Sequence, residues 1–217
     1  DPFETGRPFP DLWEWDGHRW NRRTPGAPTP GERAFHSMAF DAARGVSVVF
    51  GGDVVDPPVV WEWDGAAWDP IVSPDPNPGL RGSPAVAFDG SRVLMFGGRD
   101  SASEGKSDLW AWDGSTWTRL AANGPPARTG HGMAYDPDRD RLVLFGGQAL
   151  DFAPFADTWE FDGNAWIQRA TGGAAAPSAR SGPAMVHHSG RNRTLVIGGS
   201  SRTGTEADVW EWDGTAW

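Results

Sequence analysis

The sequence has no cysteine and a single tyrosine, Tyr135. Without thiols there are no disulfides, thiolate metal sites or cysteine nucleophiles; this leaves the compartment open, because oxidising compartments also hold cysteine-free proteins. Positive charge is scarce: 19 Lys and Arg stand against 29 Asp and Glu, a formal net charge of −10. Such a chain has no general attraction to nucleic acid or to anionic lipid. No apolar run approaches the roughly 20 residues of a membrane helix, and no stretch has the 3.6-residue periodicity of a good helix. Also missing are GxSxG, HExxH and a phosphate-cradling glycine loop that opens a helix. The chain starts at Asp1-Pro2 with no leader, which reads as a processed protein or an excerpt of a longer one.

Glycine (29), proline (19) and tryptophan (14) are abundant. The first two imply many turns; the third follows from a repeat. DLWEWDGHRW begins at Asp11, VVWEWDGAAW at Val59, DLWAWDGSTW at Asp108, DTWEFDGNAW at Asp157 and DVWEWDGTAW at Asp208. Their first tryptophans (13, 61, 110, 159, 210) are 48, 49, 49 and 51 residues apart. All 14 tryptophans lie in this string, and Phe161 stands where a fifteenth is expected. A hydrophobic run ending in Gly-Gly precedes each later copy, closing at Gly52, Gly98, Gly147 and Gly199. Before that comes RAFHSMAFD from Arg33, RGSPAVAFD from Arg81, RTGHGMAYD from Arg128 and RSGPAMVHH from Arg180.

HSMAFD and LWEWD alternate with period two, and VSVVF, VLMF and LVLF are short buried-strand runs. Each unit therefore predicts strand a (RxxHxMAFD), a turn, strand b (VVFGG), a loop, strand c (LWEWD), an Asp-Gly turn and strand d around the last Trp. Asp16, Asp64, Asp113, Asp162 and Asp213 are placed to accept backbone N–H bonds in those turns. Four-stranded units of this length predict an all-β propeller, with indoles filling the wedges between stacked blades.

The pattern RxxHxMAYDxxxxRxVLFGG followed by DTWEWDGxxW resembles the kelch repeat, in the form common in bacterial proteins. The resemblance covers residues 11–217. It implies a kelch β-propeller with units 33–68, 81–117, 128–166 and 180–217 as complete four-stranded blades and 11–20 as an N-terminal half blade. Residues 1–217 read as one propeller or as a segment of a larger one. No C-terminal a–b pair completes the half blade, so a larger ring, a small ring closed by a degenerate wedge, and copies associating through open ends are all compatible with the sequence.

Strand order puts the b–c and d–a loops on one edge of every blade, where they are long and variable, and variable loops on a rigid scaffold are where recognition is expected. The apolar b–c loop 148–156 offers Leu150, Phe152 and Phe155 as contact residues. Arg33, Arg81, Arg128 and Arg180 open the innermost strand and are expected at the channel mouth. There they either bind an anionic ligand or tie down blades and loop carbonyls. His36 and His131 follow two of these arginines by three residues and join the same candidate channel set. Glu14, Glu62, Glu160 and Glu211 repeat at one position of the unit, with Ala111 breaking the series; they are too far apart for a glycosidase pair and read as partners of inter-blade arginines.

Kelch propellers that are copper oxidases use a cysteine-linked tyrosine, which this chain lacks. Iron-dependent kelch specifier proteins resemble it in fold alone, with no three-carboxylate site to carry over. No cofactor or metal is expected; Asp53 and Asp56 are acidic loop residues without a twelve-residue calcium-loop pattern. The expected function is a non-catalytic binding or scaffolding propeller for a protein or peptide. Sugar binding is the alternative, followed by a small anion or metal near the channel.

Overall fold

The structure, a computed structural model, describes residues 8–52, 59–121 and 124–217. Its first paired strands, Leu12–Trp15 and Trp20–Arg23, form the half blade. Three sheets then hold strands a to d in antiparallel order. Blade 1 is His36–Asp41, Val46–Gly51, Val59–Trp63 and Trp68–Val72; blade 2 is Ala85–Phe88, Val93–Phe96, Leu109–Trp112 and Trp117–Ala121; blade 3 is Gly132–Asp136, Arg141–Phe145, Thr158–Phe161 and Trp166–Ala170. Blade 4 pairs Ala184–His188, Arg193–Ile197 and Val209–Trp212. It differs from the expected four strands because only Trp217 occupies the start of its strand d. That residue still packs like its counterparts, its ring centroid 5.2 Å from that of Phe145, and its Nε1 donates to Thr158 Oγ1 at 2.9 Å.

The Asp-Gly turns form as the sequence predicts. Asp16, Asp64, Asp113, Asp162 and Asp213 each accept two backbone N–H groups from the residues two and three positions on. Bonds to a charged carboxylate favour its ionised form. The Asp213 carboxyl is accordingly held at about 2, chiefly by Thr215 Oγ1 and the Ala216 and Thr215 amides.

Indoles fill the inter-blade wedges. Between blades 1 and 2, Trp110, Trp112 and Trp117 pack on Val48, Phe50 and Val60. Between blades 2 and 3, Met133, Leu142, Leu144 and Phe161 pack on Leu94, Phe96 and Leu109. One aromatic contact recurs: the strand-d Trp of blades 2, 3 and 4 meets, edge-on, the Phe before the Gly-Gly of the previous blade. Centroids are 5.2 Å apart for Phe50–Trp117, 5.3 Å for Phe96–Trp166 and 5.2 Å for Phe145–Trp217. At about 25 cal/mol per Å² of apolar area removed from water, these rings supply much of the stability.

The repeated glutamates were expected to pair with inter-blade arginines; two of their partners, Arg44 and Arg139, do lie against the Asp-Gly turn of the next blade, but all the partners come from the glutamate's own unit. Glu14 pairs with Arg23, Glu62 with Arg44, Glu160 with Arg139 and Arg169, and Glu211 with Arg191. The bond that crosses the boundary comes from an indole. Trp63 Nε1 donates to Glu14 at 2.8 Å, Trp112 to Glu62 at 2.9 Å and Trp212 to Glu160 at 2.9 Å. Alternation dictates this, because Trp63, Trp112 and Trp212 point back to the preceding unit while the glutamates point forward.

Candidate functional site

The Gly-Gly pair and the arginine of the next unit build the loop face together. Gly52, Gly98 and Gly147 donate their N–H to the carbonyls of Arg81, Arg128 and Arg180 at 3.0, 2.9 and 2.9 Å. The approach is so close that a Cβ on Gly51 would lie 2.2 Å from the Arg81 carbonyl oxygen, and Gly51 has φ +78°. Only glycine fits both demands.

The four arginines are buried, at 8, 3, 0 and 0 % exposure for Arg33, Arg81, Arg128 and Arg180. Arg128 donates from Nη1 to Gly146 O and Asp157 Oδ1 and from Nη2 to Asp157 Oδ2, all within 2.7–2.8 Å. Arg81 holds Gly97 O and Asp108, and Arg180 holds Gly198 O and Asp208, in the same way. Arg33 holds Gly51 O and Pro30 O. The same aspartates accept the first indole of strand c, as in Trp110 Nε1 to Asp108 at 2.7 Å and Trp159 Nε1 to Asp157 at 2.7 Å. One guanidinium thus joins strands a, b and c of its blade, and Arg180 with Trp210 holds the Asp208 carboxyl at about 2. The side chains lie beneath the loop face, and it is their carbonyls that reach the neighbouring blade.

Two residues past each arginine the backbone turns left-handed, at Phe35, Ser83, Gly130 and Gly182, with φ of 59, 53, 60 and 64°. These positions form a belt across the blades. Ser83 N donates to Phe35 O at 2.7 Å, Gly130 N to Ser83 O at 3.4 Å and Gly182 N to Gly130 O at 2.7 Å. His36 is exposed and His131 buried. His131 lies 5.5 Å edge-on from Phe96, and among the described residues neither ring nitrogen meets a partner in good hydrogen-bond geometry. Burial, helped by the Arg128 cation, pushes its pKa down to about 3, so the ring is neutral.

The candidate loop residues take different positions. Loop 148–156 is a tight hairpin pinned by Ala149 N to Ala153 O at 3.0 Å and Phe152 N to Ala149 O at 3.0 Å. Phe152 stands at its tip with φ 63° and is 75 % exposed. Leu150 is half-exposed and leans on Gly105 of the blade 2 loop. Phe155 turns inward, its ring 4.1 Å from the Arg128 guanidinium carbon. The blade 2 loop has Ser103 at its left-handed position (φ 62°), so a phenyl there belongs to blade 3.

Phe152 and the belt residue Phe35 rim a cavity of about 200 Å³ that also takes in Ser83, Arg99, Thr129, Gln148 and Leu150. Phe35 is 59 % exposed. The Arg99 guanidinium has no partner among the described residues. Sequence reasoning missed Phe35 and Ser83, because nothing in a strand-a string announces a left-handed residue, and Arg99, which lies in a b–c loop outside the repeated strings.

At the opposite edge Asp136, Asp138 and His187 come within 4.8 Å of one another. Asp136 already accepts Arg139 Nε at 2.8 Å and two backbone amides, so the group is an ion-paired tie between blades 3 and 4. Asp53 and Asp56 lie outside the described residues.

Residues 85–217 match the family model described as the KLHDC2/KLHL20/DRC7 Kelch-repeats domain. The chain belongs to the kelch-repeat family. The kelch architecture also relates it to the solved "Structure of YjhT", with TM-score 0.73 and 14 % identity over 95 % of this chain and 74 % of that one. At that identity the likeness shows the fold alone. No curated protein sequence matches the chain. Kelch propellers serve generally as protein-interaction modules, and membership carries that general role here.

Proposed function

We propose that this kelch propeller binds a protein or peptide segment through its b–c and d–a loop face, with Phe152 as the anchor. The observation that carries this reading is the Phe152 ring itself. A bulky side chain in a left-handed conformation at the tip of a pinned hairpin is held out into water against its own preference. Aromatic rings beside an arginine are the usual high-energy contacts of an interface, and Arg99 supplies the cation. Sugar binding has less support, because the exposed indoles Trp13, Trp15 and Trp20 belong to the outer face of the half blade. The test is a peptide-display selection against the purified chain. Peptides that lose binding to Phe152→Ser, which copies Ser103, and to Arg99→Ala support the loop face. Peptides that bind both variants as well as the parent exclude it.

A second reading concerns the two ends, with residues 1–217 acting as one unit. The half blade exposes Trp13 and Trp15, and blade 4 exposes Val186, Ile197 and Val209 beside Glu211. Glu211 holds the position that receives an indole at the latched boundaries, and Trp15 the position that donates one. We propose head-to-tail self-association through these faces, a heterologous contact. Native mass spectrometry across a concentration series tests it: a concentration-dependent oligomer lost on Trp15→Ser supports it, and a monomer throughout removes it.

A further inference from the structure

Blades 2 and 3 meet without a Glu–Trp latch, since Ala111 stands in the glutamate position and Phe161 in the indole position. A third feature changes with them. At the neighbouring boundaries the arginine of the a–b turn lies under the Asp-Gly turn of the next blade. A Cβ on Gly114 would be 2.6 Å from Arg44 Nη1, and one on Gly214 would collide with Arg139, whereas Gly163 has nothing within 4 Å. Arg92, in the place of Arg44, finds no glutamate among the described residues and bonds Asp89 at 3.2 Å. The missing latch therefore leaves a cleft of about 280 Å³ on the turn edge, away from the loop face. Its floor is Leu94, Leu142 and Phe161, and its rim holds Asp89, Tyr135 and Asp140.

Tyr135 is the one tyrosine of the chain, where blades 1 and 2 carry Phe40 and Phe88. Its hydroxyl donates to Asp140 Oδ1 at 2.5 Å. Asp140 is itself left-handed, with φ 54°. Arg92 lines the cleft as well and pairs with Asp89, and Arg141 Nη1 donates to the Asp140 carbonyl at 2.6 Å, so among the described residues Asp140 is the rim carboxylate without an ion pair. The Tyr135 hydroxyl feels the carboxylates: burial, then Asp140, Asp89 and Asp136, push its pKa up to about 12.

We propose that this cleft binds a small organic ammonium, with an apolar ring or branched chain on Leu94, Leu142 and Phe161 and the cationic nitrogen against Asp140. An apolar floor with a few convergent polar groups is the usual form of a small-ligand site, and the volume suits about ten non-hydrogen atoms. The site is independent of the loop-face reading.

The test uses 2-phenylethylamine, 2-phenylethanol and 3-phenylpropionate as probes, with affinity from ligand-observed NMR titration and location from amide shifts. The amine is expected to bind with a dissociation constant of about 1 mM or tighter, the alcohol about tenfold more weakly and the acid not measurably. Asp140→Asn should weaken the amine about tenfold. Ala111→Glu with Phe161→Trp rebuilds the latch of the neighbouring boundaries and should abolish binding while the fold is kept. If that pair does not fold, Asp140→Asn and the shifts of residues 135–142 still decide. Equal binding of the three probes, no binding of the amine, unchanged amine affinity in a folded latch variant, or shifts confined to the loop face would each overturn the proposal.

Discussion

The Trp112 indole donates from Nε1 to Glu62 Oε1 at 2.9 Å across the boundary of blades 1 and 2, with both groups buried. Glu62 Oε2 receives Arg44 Nη1 at 2.7 Å in the same sheet. A buried donor, a carboxylate and a cation thus satisfy one another. Removing the acceptor alone strands an indole N–H and leaves the Arg44 guanidinium with Asp41 only. Glu62→Ala should lose about 2–3 kcal/mol by urea unfolding. Trp112→Phe added to it removes the stranded donor, and the double variant should be about 1–2 kcal/mol more stable than additivity implies. The chain makes this paired replacement itself at Ala111 and Phe161. Strict additivity would remove the latch as an energetic unit.

Gly51 separates close approach from backbone strain. Gly51→Ala meets the Arg81 carbonyl and the unfavourable φ together, whereas Gly65, at φ +95°, has nothing within 4 Å of a Cβ. Gly65→Ala should lose about 1–2 kcal/mol from the left-handed backbone alone. Gly51→Ala should lose more than about 3 kcal/mol. Similar urea midpoints for the two variants would show that the Gly-Gly pair serves only its φ.

Trp110 and Phe152 separate core from loop face. Trp110 is buried between blades and bonded to Asp108, while Phe152 is largely in water. Trp110→Ala should lose about 3–5 kcal/mol, and Phe152→Ala less than about 0.5 kcal/mol. Comparable losses in thermal or urea unfolding would end the division of roles between them.

Much of this fold is legible in the residues, because a repeat near 49 positions states each structural demand several times. The Asp-Gly turns, the Gly-Gly close approach and the indole wedges follow from DGxxW, FGG and WEWD. Neighbour relations are harder to read. A periodic string says that Glu62 matters at its position, but whether its partner lies in its own blade or the next depends on which sheet face it takes. The candidate site was half legible. An apolar loop marked Phe152, whereas Phe35 and Arg99 became visible only through the left-handed belt that brings blades 1 to 3 to one cavity. The cleft between blades 2 and 3 arises from residues that are missing from the pattern, and its shape emerges only when the sheets are stacked.

His131 should dominate the acid sensitivity of the fold. Its pKa is about 3 in the folded chain, against about 6.5 when unfolded. The unfolded chain therefore binds a proton that the folded one refuses. The sign is fixed by this: the contribution of His131 to stability is full above pH 6.5 and is lost as pH falls from 6.5 towards 3, at about 1.4 kcal/mol per pH unit. Asp208, Asp113 and Asp213, each held near 2, keep their own contributions until well below that window opens. Urea unfolding at pH 7.5, 6, 5 and 4 should show stability falling on the acid side for the parent chain. His131→Leu should flatten that fall, since leucine has no proton to take up. Equal pH slopes in parent and variant would mean that His131 has a protonated form the folded interior accepts, and that its unpartnered ring nitrogens reach water.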